Sequence, residues 1–347
     1  MKPAPIATGL AARAWRRWSL PLLLCLAPIW ACAQWRASSP AEQAQDSAVF
    51  KGADQMITER FSAVQSVVVA LKGRVVYRYY RDGAPDALRD VHSVAKSALS
   101  TLVGIALGQG RIANLDQPVV ALLPEWAGLN PDPRAAAITL RHLLTMTAGF
   151  AVNDPTGTAP AGRPQDTWVR PLGSAPGQTF AYDNALIPVL AAVLEKATGM
   201  PLADYARQQL VVPLGFQEPG YRRGLQLRTE DMAKLGQLLL QNGAWDGRQL
   251  VPESYVLAAT QPQNAGGPPL SLPYGYLWWV RPSDAPRSTF MASGFGGQFI
   301  WVHPPLDLVI ATTSTVSADA QRQAQALELI RGRLFAAAQR RAAGAGR

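Results

Sequence analysis

The chain has 347 residues, of which 48% are hydrophobic and 16% charged, so it can form one large domain or two ordinary ones and is too apolar to be disordered. Two cysteines exclude a disulfide framework, and three separated histidines argue against a histidine-rich metal site. Of the basic residues behind the net charge of +9, nine lie in 1–33 and 331–347, which contain no acid. The remaining 24 basic residues balance 24 acidic ones, which excludes a global basic field for nucleic acid. We interpret the basic C-terminal tail as a solvated helix end rather than a polyanion-binding arm.

The N-terminus predicts an export signal. Three arginines precede an apolar run at 18–28, and the small residues Ala31 and Ala33 stand at the −3 and −1 positions of a cleavage site. We therefore expect cleavage after Ala33 and a periplasmic or secreted protein. A lipid-anchored form would use Cys32 instead, although Trp30 does not suit that pattern.

The residues after the signal predict a helix, a hairpin and a second helix. Residues 34–60 are expected to hold a linker and the first helix. Two β-rich runs, SVVVALK and RVVYRYY, meet at Lys72-Gly73, which is typical of a hairpin turn. Over residues 93–107 the apolar residues recur with helical period, and two following glycines end that pattern.

The middle of the chain predicts helices and loops, and its last quarter predicts strands. Pro118 and Thr139 each stand at the start of a short helix. The stretch 151–178 is rich in Pro, Gly and Asp and predicts a long loop. Two longer apolar-periodic helices are expected at 184–199 and 228–242. Short aromatic or β-branched runs then predict four strands, at 274–280, 288–293, 299–303 and 308–315. A last helix is expected at 318–340.

This order of elements indicates an α+β fold. Both groups of strands can join one antiparallel sheet flanked by helices if the helical middle of the chain is an insertion. After the signal peptide, we expect a sheet domain made of residues 34–90 and 266–347 and a mostly helical domain made of residues 91–265. A site would lie in the cleft between them.

The first candidate for chemistry is Ser93-Val94-Ala95-Lys96. A three-residue step brings two side chains together on one helix face. A neutral lysine can take the proton of a serine hydroxyl, and burial lowers the lysine pKa toward that state. On these four residues alone, an N-cap serine followed by a solvated lysine is an equally good interpretation.

Two further patterns could complete such a site. Tyr182-Asp183-Asn184 places a phenol and an amide on one side of a turn, where they could relay a proton and bind a substrate. A tyrosine at a domain edge and an asparagine helix cap are the simpler interpretation. The run from Ala292 to Gln298, ASGFGGQ, ends a strand and could supply a second oxyanion N–H, or it could be only a glycine-rich hairpin turn.

Other residues in these regions have mainly structural interpretations. None of the three histidines is expected to be catalytic. Trp278-Trp279 fit alternating residues of a strand, with one ring in the core, or with one lining the cleft. Trp168 and Arg170 lie in the long loop, where they could be a lid or an ordinary loop anchor.

In this order the three patterns resemble the serine β-lactamase and penicillin-binding-protein superfamily. Segments around these patterns extend the resemblance over residues 60–335. Within the superfamily, the chain is most similar to the class C-type branch of esterases and 6-aminohexanoate-dimer hydrolases. The segments that carry it are SVAKSALSTLVGIALGQGRIANLDQPVVALLPEW, ITLRHLLTMTAGF, PGQTFAYDNALIPVLAAVLEKATG, VVPLGF, YGYLWW and SGFGGQFIWVHPPLDLVIATTS.

The resemblance implies a β-lactamase-like fold and assigns roles residue by residue. It makes Ser93 the nucleophile, Lys96 the general base and Tyr182 the proton relay. The backbone N–H groups of Ser93 and Phe295 form the oxyanion hole. The positions that would support or bind the substrate are Asn184, Ser293 and Gly294.

One position departs from that superfamily. Penicillin-recognising members carry Lys or His where this chain has Ala292, so the cation for a substrate carboxylate is missing. We therefore expect an exported serine hydrolase that cleaves a small ester or amide through an acyl-enzyme, without cofactor or metal. The alternatives are a penicillin-binding or β-lactamase-type enzyme and a non-catalytic envelope binding protein.

Overall fold

The computed structural model describes residues 35, 38–152, 162–222 and 224–344, together with the isolated positions 1 and 4. Apart from those two positions, the signal peptide expected over 1–33 and its Cys32 lie outside the described residues. The central part of the expected long loop, residues 153–161, lies outside them as well.

The described residues form twelve strands: β1 (Val64–Leu71), β2 (Arg74–Tyr80), β3 (Arg89–Asp90), β4 (Gln226–Leu227), β5 (Ala244–Trp245), β6 (Arg248–Gln249), β7 (Asn264–Gly267), β8 (Leu272–Tyr274), β9 (Trp279–Arg281), β10 (Thr289–Gly294), β11 (Gln298–His303) and β12 (Leu308–Ser314).

The α-helices in the same ranges are α1 (Pro40–Val49), α2 (Ala53–Arg60), α3 (Val94–Gly108), α4 (Val119–Leu122), α5 (Leu140–Leu144), α6 (Pro164–Trp168), α7 (Leu186–Thr198), α8 (Leu202–Ala206), α9 (Val212–Leu214), α10 (Thr229–Leu240), α11 (Glu253–Ala259), α12 (Ala320–Leu329) and α13 (Phe335–Gly344). Two π-helical turns join α8 to α9 and α12 to α13, at Arg207–Val211 and Ile330–Leu334. Short 3₁₀ turns lie at Pro124–Trp126, Pro133–Ala137 and Pro304–Leu306.

Eight of the strands form one antiparallel sheet in the order β2-β1-β12-β11-β10-β9-β8-β7. Strand β1 pairs with β12, so the first and the last strand of the described chain are neighbours in the sheet. The predicted α+β fold with one antiparallel sheet is therefore confirmed. The division into a sheet domain and a helical domain stays a prediction.

The β1–β2 hairpin forms where the sequence predicts it. Lys72 and Gly73 occupy its turn with φ of 52° and 73°. Two successive left-handed residues match the right-handed twist of the flanking strands, and glycine adopts that conformation without steric cost.

Helices cover both faces of the sheet. Every residue of β12 is buried, as expected for a strand enclosed on both sides. On one face α10 packs so closely that a Cβ on Gly236 would lie 2.6 Å from a methyl carbon of Ile300. On the other face the ring of Phe335, at the start of α13, lies 4.9 Å from that of His303. The sheet therefore provides the rigid support for the elements that carry the candidate site.

Several helices match the predictions, since α3, α7 and α10 differ from the expected ranges by at most two residues at either end. The single helix expected in 34–60 is instead two helices, α1 and α2. The expected long loop contains the short helix α6.

The single strand predicted over 274–280 is wrong. Tyr274 ends β8, and the chain turns before Trp279 begins β9. A Cβ on Gly275 would overlap the carbonyl oxygen of Ala259, and Leu277 has φ of 58°. Close backbone approach and a left-handed residue therefore break a segment whose composition suits a strand.

The interpretation of the basic tail as a solvated helix end fails for Arg341. This side chain is 3% exposed, and its guanidinium donates to the buried carboxylate of Asp46 in α1. Arg74 of β2 lies 3.6 Å from the same carboxylate. The C-terminal helix is thus held to the N-terminal one by a buried ion pair.

In the described ranges no single helix is long and apolar enough to span a membrane. The helices Leu186–Thr198 and Leu202–Leu214 meet that criterion only as a pair, across a bend of 73°.

Candidate active site

Ser93 lies at the first turn of α3, half-buried, with φ of −67° and ψ of −5°. Its side chain makes no capping hydrogen bond with the helix. Instead, Nζ of Lys96 donates to Ser93 Oγ over 2.7 Å. The simpler interpretation, an N-cap serine with a solvated lysine, is therefore wrong, because the two side chains face each other.

Lys96 is buried, with 7% of its surface exposed. Burial lowers its pKa to about 8, and the charge of Asp183 raises it again in part. A buried ammonium loses hydration, which disfavours its charged form. A substantial fraction of Lys96 can therefore be neutral near physiological pH and can accept a proton.

Tyr182 lies against both residues. Its phenol hydrogen-bonds Ser93, and its ring centroid lies 4.9 Å from Nζ of Lys96. Burial raises the phenol pKa to about 12, while the hydrogen bond to Ser93 opposes that rise. The phenol is therefore a neutral hydroxyl that can both accept and donate a hydrogen bond at Ser93.

A cluster of aromatic rings fixes the position of Tyr182. Trp279, only 3% exposed, stacks on it with the centroids 5.7 Å apart and the planes at 22°. Tyr274 packs edge-on against both rings, and Phe180 packs against Tyr274 and Trp279. One of Trp278 and Trp279 was expected in the core, whereas both are buried, and Trp279 also contacts Tyr182.

The glycine-rich strand end lies beside the serine. Gly294 is the last residue of β10, and a Cβ there would overlap the carbonyl oxygen of Val91, two residues before Ser93. Ser293 pairs with Phe299 of β11, so the run forms a hairpin turn, and its role in supplying an oxyanion N–H stays a prediction. Among the described residues, the N–H groups of Ser93 and Phe295 donate to no other backbone or side-chain group. That the two groups form an oxyanion hole stays a prediction.

Asn184 follows in the turn between Tyr182 and α7, half-buried. Its backbone carbonyl oxygen accepts a hydrogen bond from the N–H of Ile187. Its expected contact with a substrate stays a prediction.

Sequence reasoning missed an ion pair next to Tyr182. Arg170 donates from Nη1 to Oδ2 of Asp183 over 2.8 Å, and both side chains are largely buried. Asp183 Oδ1 also accepts from the N–H of Ala185 over 2.9 Å. Arg170 stood in the expected loop and Asp183 inside the Tyr-x-Asn pattern, but no local signal pairs residues thirteen positions apart.

The remaining aromatic and histidine side chains contact other parts of the fold. Trp168 is buried against Trp126 and is a loop anchor rather than a lid. His142 Nδ1 accepts from the N–H of Thr139, and His303 Nδ1 lies 2.7 Å from Thr289 Oγ1. The exposed ring of His92 faces that of Phe295 at 6.3 Å. Within the described part of the chain, no group of three or more His, Cys, Asp or Glu residues could hold a metal ion.

Comparison with known proteins identifies the family of this chain. Residues 53–226 match the Beta-lactamase family, so the chain belongs to the β-lactamase family. It is 25% identical over 336 residues to the 6-aminohexanoate-dimer hydrolase of Paenarthrobacter ureafaciens, covering 86% of this chain and 85% of that protein. It is 32% identical over 195 residues to esterase EstB of Burkholderia gladioli, which is about half of each chain.

Solved structures share the fold at lower identity. A putative 6-aminohexanoate-dimer hydrolase from Bacillus anthracis matches with a TM-score of 0.66 and 21% identity, over 82% of this chain and 81% of that one. A penicillin-binding-protein homologue from Caulobacter crescentus matches with a TM-score of 0.65 and 17% identity, over 88% of this chain and all of the other. These likenesses confirm the β-lactamase-like fold.

Proposed function

We propose that the chain is an exported serine hydrolase that cleaves a small ester or amide through an acyl-enzyme on Ser93. The observation that carries this proposal is the three-way contact of Ser93 with Lys96 and Tyr182. Burying a lysine costs free energy. A binding protein gains nothing from holding that lysine against a serine hydroxyl, whereas a hydrolase gains a base for its nucleophile.

The reaction follows from the geometry. Neutral Lys96 accepts the hydroxyl proton of Ser93, directly or through the Tyr182 phenol, while Oγ bonds to the substrate carbonyl carbon. The N–H groups of Ser93 and Phe295 stabilise the oxyanion that forms. The leaving alcohol or amine takes the proton as its bond to carbon breaks. Water then attacks the acyl-enzyme by the same route and regenerates Ser93.

The relatives support a small ester or amide as the substrate, since one is named an esterase and another a hydrolase of the 6-aminohexanoate dimer. Ala292 supports an uncharged acyl group. It is 1% exposed within β10, at a position where penicillin-recognising members carry a cation. The cleft therefore lacks a charged partner for a substrate carboxylate at that position.

A covalent probe tests this function. The mature protein is incubated with a fluorophosphonate and, in parallel, with penicillin G, and intact mass is followed by peptide mapping. We expect the fluorophosphonate on Ser93 and no stable penicilloyl adduct. An adduct of penicillin on Ser93 would favour the penicillin-binding alternative. An unmodified Ser93 in folded protein would overturn the proposal.

The intact mass of the same protein also tests export, because it shows whether processing follows Ala33 or leaves a lipid on Cys32.

The activity should rise with pH through about 8. Lys96 has a pKa of about 8, below its ordinary value, and only its neutral form accepts a proton. Below that pH the lysine is protonated and kcat/KM falls about tenfold per unit. The check is kcat/KM for p-nitrophenyl acetate between pH 5 and 9.5. An acidic limb with its midpoint below pH 6 would contradict Lys96 as the base.

A further inference from the structure

The ion pair between Arg170 and Asp183 lies directly behind the site. Asp183 is adjacent to Tyr182 in the chain and 8% exposed. The Arg170 guanidinium donates to Asp183 and to the carbonyl oxygen of Ala151, and it lies 5.6 Å from the ring centroid of Phe150. One arginine therefore ties the residues around position 150 to the turn that carries the phenol.

The same carboxylate acts on Lys96. Asp183 is the one charged group in the described chain that shifts the pKa of Lys96, in the direction opposite to burial. The titratable side chain in contact with Nζ is that of Tyr182, and the ring of His92 faces Phe295. Arg170 neutralises Asp183 at 2.8 Å, so Lys96 experiences the pair rather than an isolated negative charge.

We propose that Arg170 and Asp183 form a positioning pair that sets the charge balance at Lys96 and holds Tyr182 against Ser93. This proposal deepens the proposed function, since it concerns the same three residues. Asp183 fixes the turn through its hydrogen bond from the N–H of Ala185, and Arg170 fixes the orientation of that carboxylate.

Removing either partner of this pair should shift the pKa of Lys96, in opposite directions for the two partners. Arg170→Met removes the counter-charge and leaves the negative charge of Asp183 acting alone, which stabilises the ammonium form of Lys96. Asp183→Asn removes the negative charge and leaves the positive Arg170, which destabilises that form. We expect the Lys96 titration to move up by about half a pH unit in the first variant and down by a similar amount in the second.

The titration can be measured without relying on activity. The chain has six lysines, so ¹³C-lysine labelling and NMR can follow Lys96 in the full mature protein, with Lys96→Met to assign its signal. The acidic limb of kcat/KM for p-nitrophenyl acetate gives a second reading of the same group. Arg170→Lys keeps the positive charge, so its Lys96 titration should stay close to that of the unsubstituted protein.

Arg163→Met is the matched control. Arg163 pairs with Asp166 over 2.8 Å in the same region of the chain, but both side chains are exposed. It should leave the Lys96 titration where it is. If Arg170→Met and Asp183→Asn both reduce activity without moving the Lys96 titration, or move it the same way, the pair is only structural and the proposal fails. An inert Ser93 with the shifts intact would instead overturn the proposed function alone.

Discussion

Replacing Ser93 with alanine should reduce kcat/KM for p-nitrophenyl acetate by at least about 10³-fold, to the level that binding and oxyanion stabilisation alone supply. No other hydroxyl in the described site bonds to Lys96 Nζ and can replace Oγ. The fold should persist, because Ser93 is half-buried and does not cap α3. The free energy of unfolding should change by no more than about 1 kcal/mol.

Ser97→Ala is the matched control for that variant. Ser97 lies one turn further along α3, buried, and its hydroxyl donates to the carbonyl oxygen of Leu277 over 2.7 Å. Its loss should lower stability by about 1 kcal/mol and leave kcat/KM within a few-fold. Near-full activity in Ser93→Ala, or equal losses in both variants, would refute the assignment of Ser93 as the nucleophile.

Replacing Gly294 with alanine should lower kcat by about 10²–10³-fold, the range observed when one oxyanion donor is lost. The new Cβ would overlap the carbonyl oxygen of Val91, so β10 must move away from the turn that carries Ser93. The N–H of Phe295 follows Gly294 in the chain and moves with it. A group misplaced by 1 Å loses most of its effect in the transition state.

Steady-state kinetics of Gly294→Ala separate this effect from weaker binding. We expect kcat to fall while KM changes little, since the oxyanion exists only in the transition state. Gly332→Ala is the control, because a Cβ there meets nothing within 4 Å. A change confined to KM would show that this strand end binds substrate without stabilising the oxyanion.

The contact between Ser93 and Lys96 was predictable because it lies within one helical turn. Helix geometry brings residues three apart together whatever the rest of the fold does. The alternative that Ser93 caps the helix could not be rejected from the sequence, since it uses the same residues. The structure decides between them, because Ser93 makes no capping bond and Lys96 is buried by elements distant in the chain.

The surroundings of Tyr182 could not be predicted in the same way. Trp279 stacks on it from a strand almost a hundred residues later, and Arg170 reaches Asp183 from a region with no strong periodicity. Such contacts are set by tertiary packing, whereas composition and spacing report local structure. The false strand at 274–280 has the same cause, because the close approach of Ala259 to Gly275 leaves no trace in the local pattern.

The pairing of β1 with β12 also has a consequence for how the polypeptide reaches this structure. Gln65 and Thr315, whose side chains hydrogen-bond beside this pair, are 250 positions apart. The β1–β2 hairpin can form early, but the edge of β1 that meets β12 stays unpaired until β12 has been synthesised. Contacts of such long range slow folding, and an unpaired apolar edge invites association with other chains. Synthesis of β12 therefore determines when β1 stops being vulnerable to aggregation.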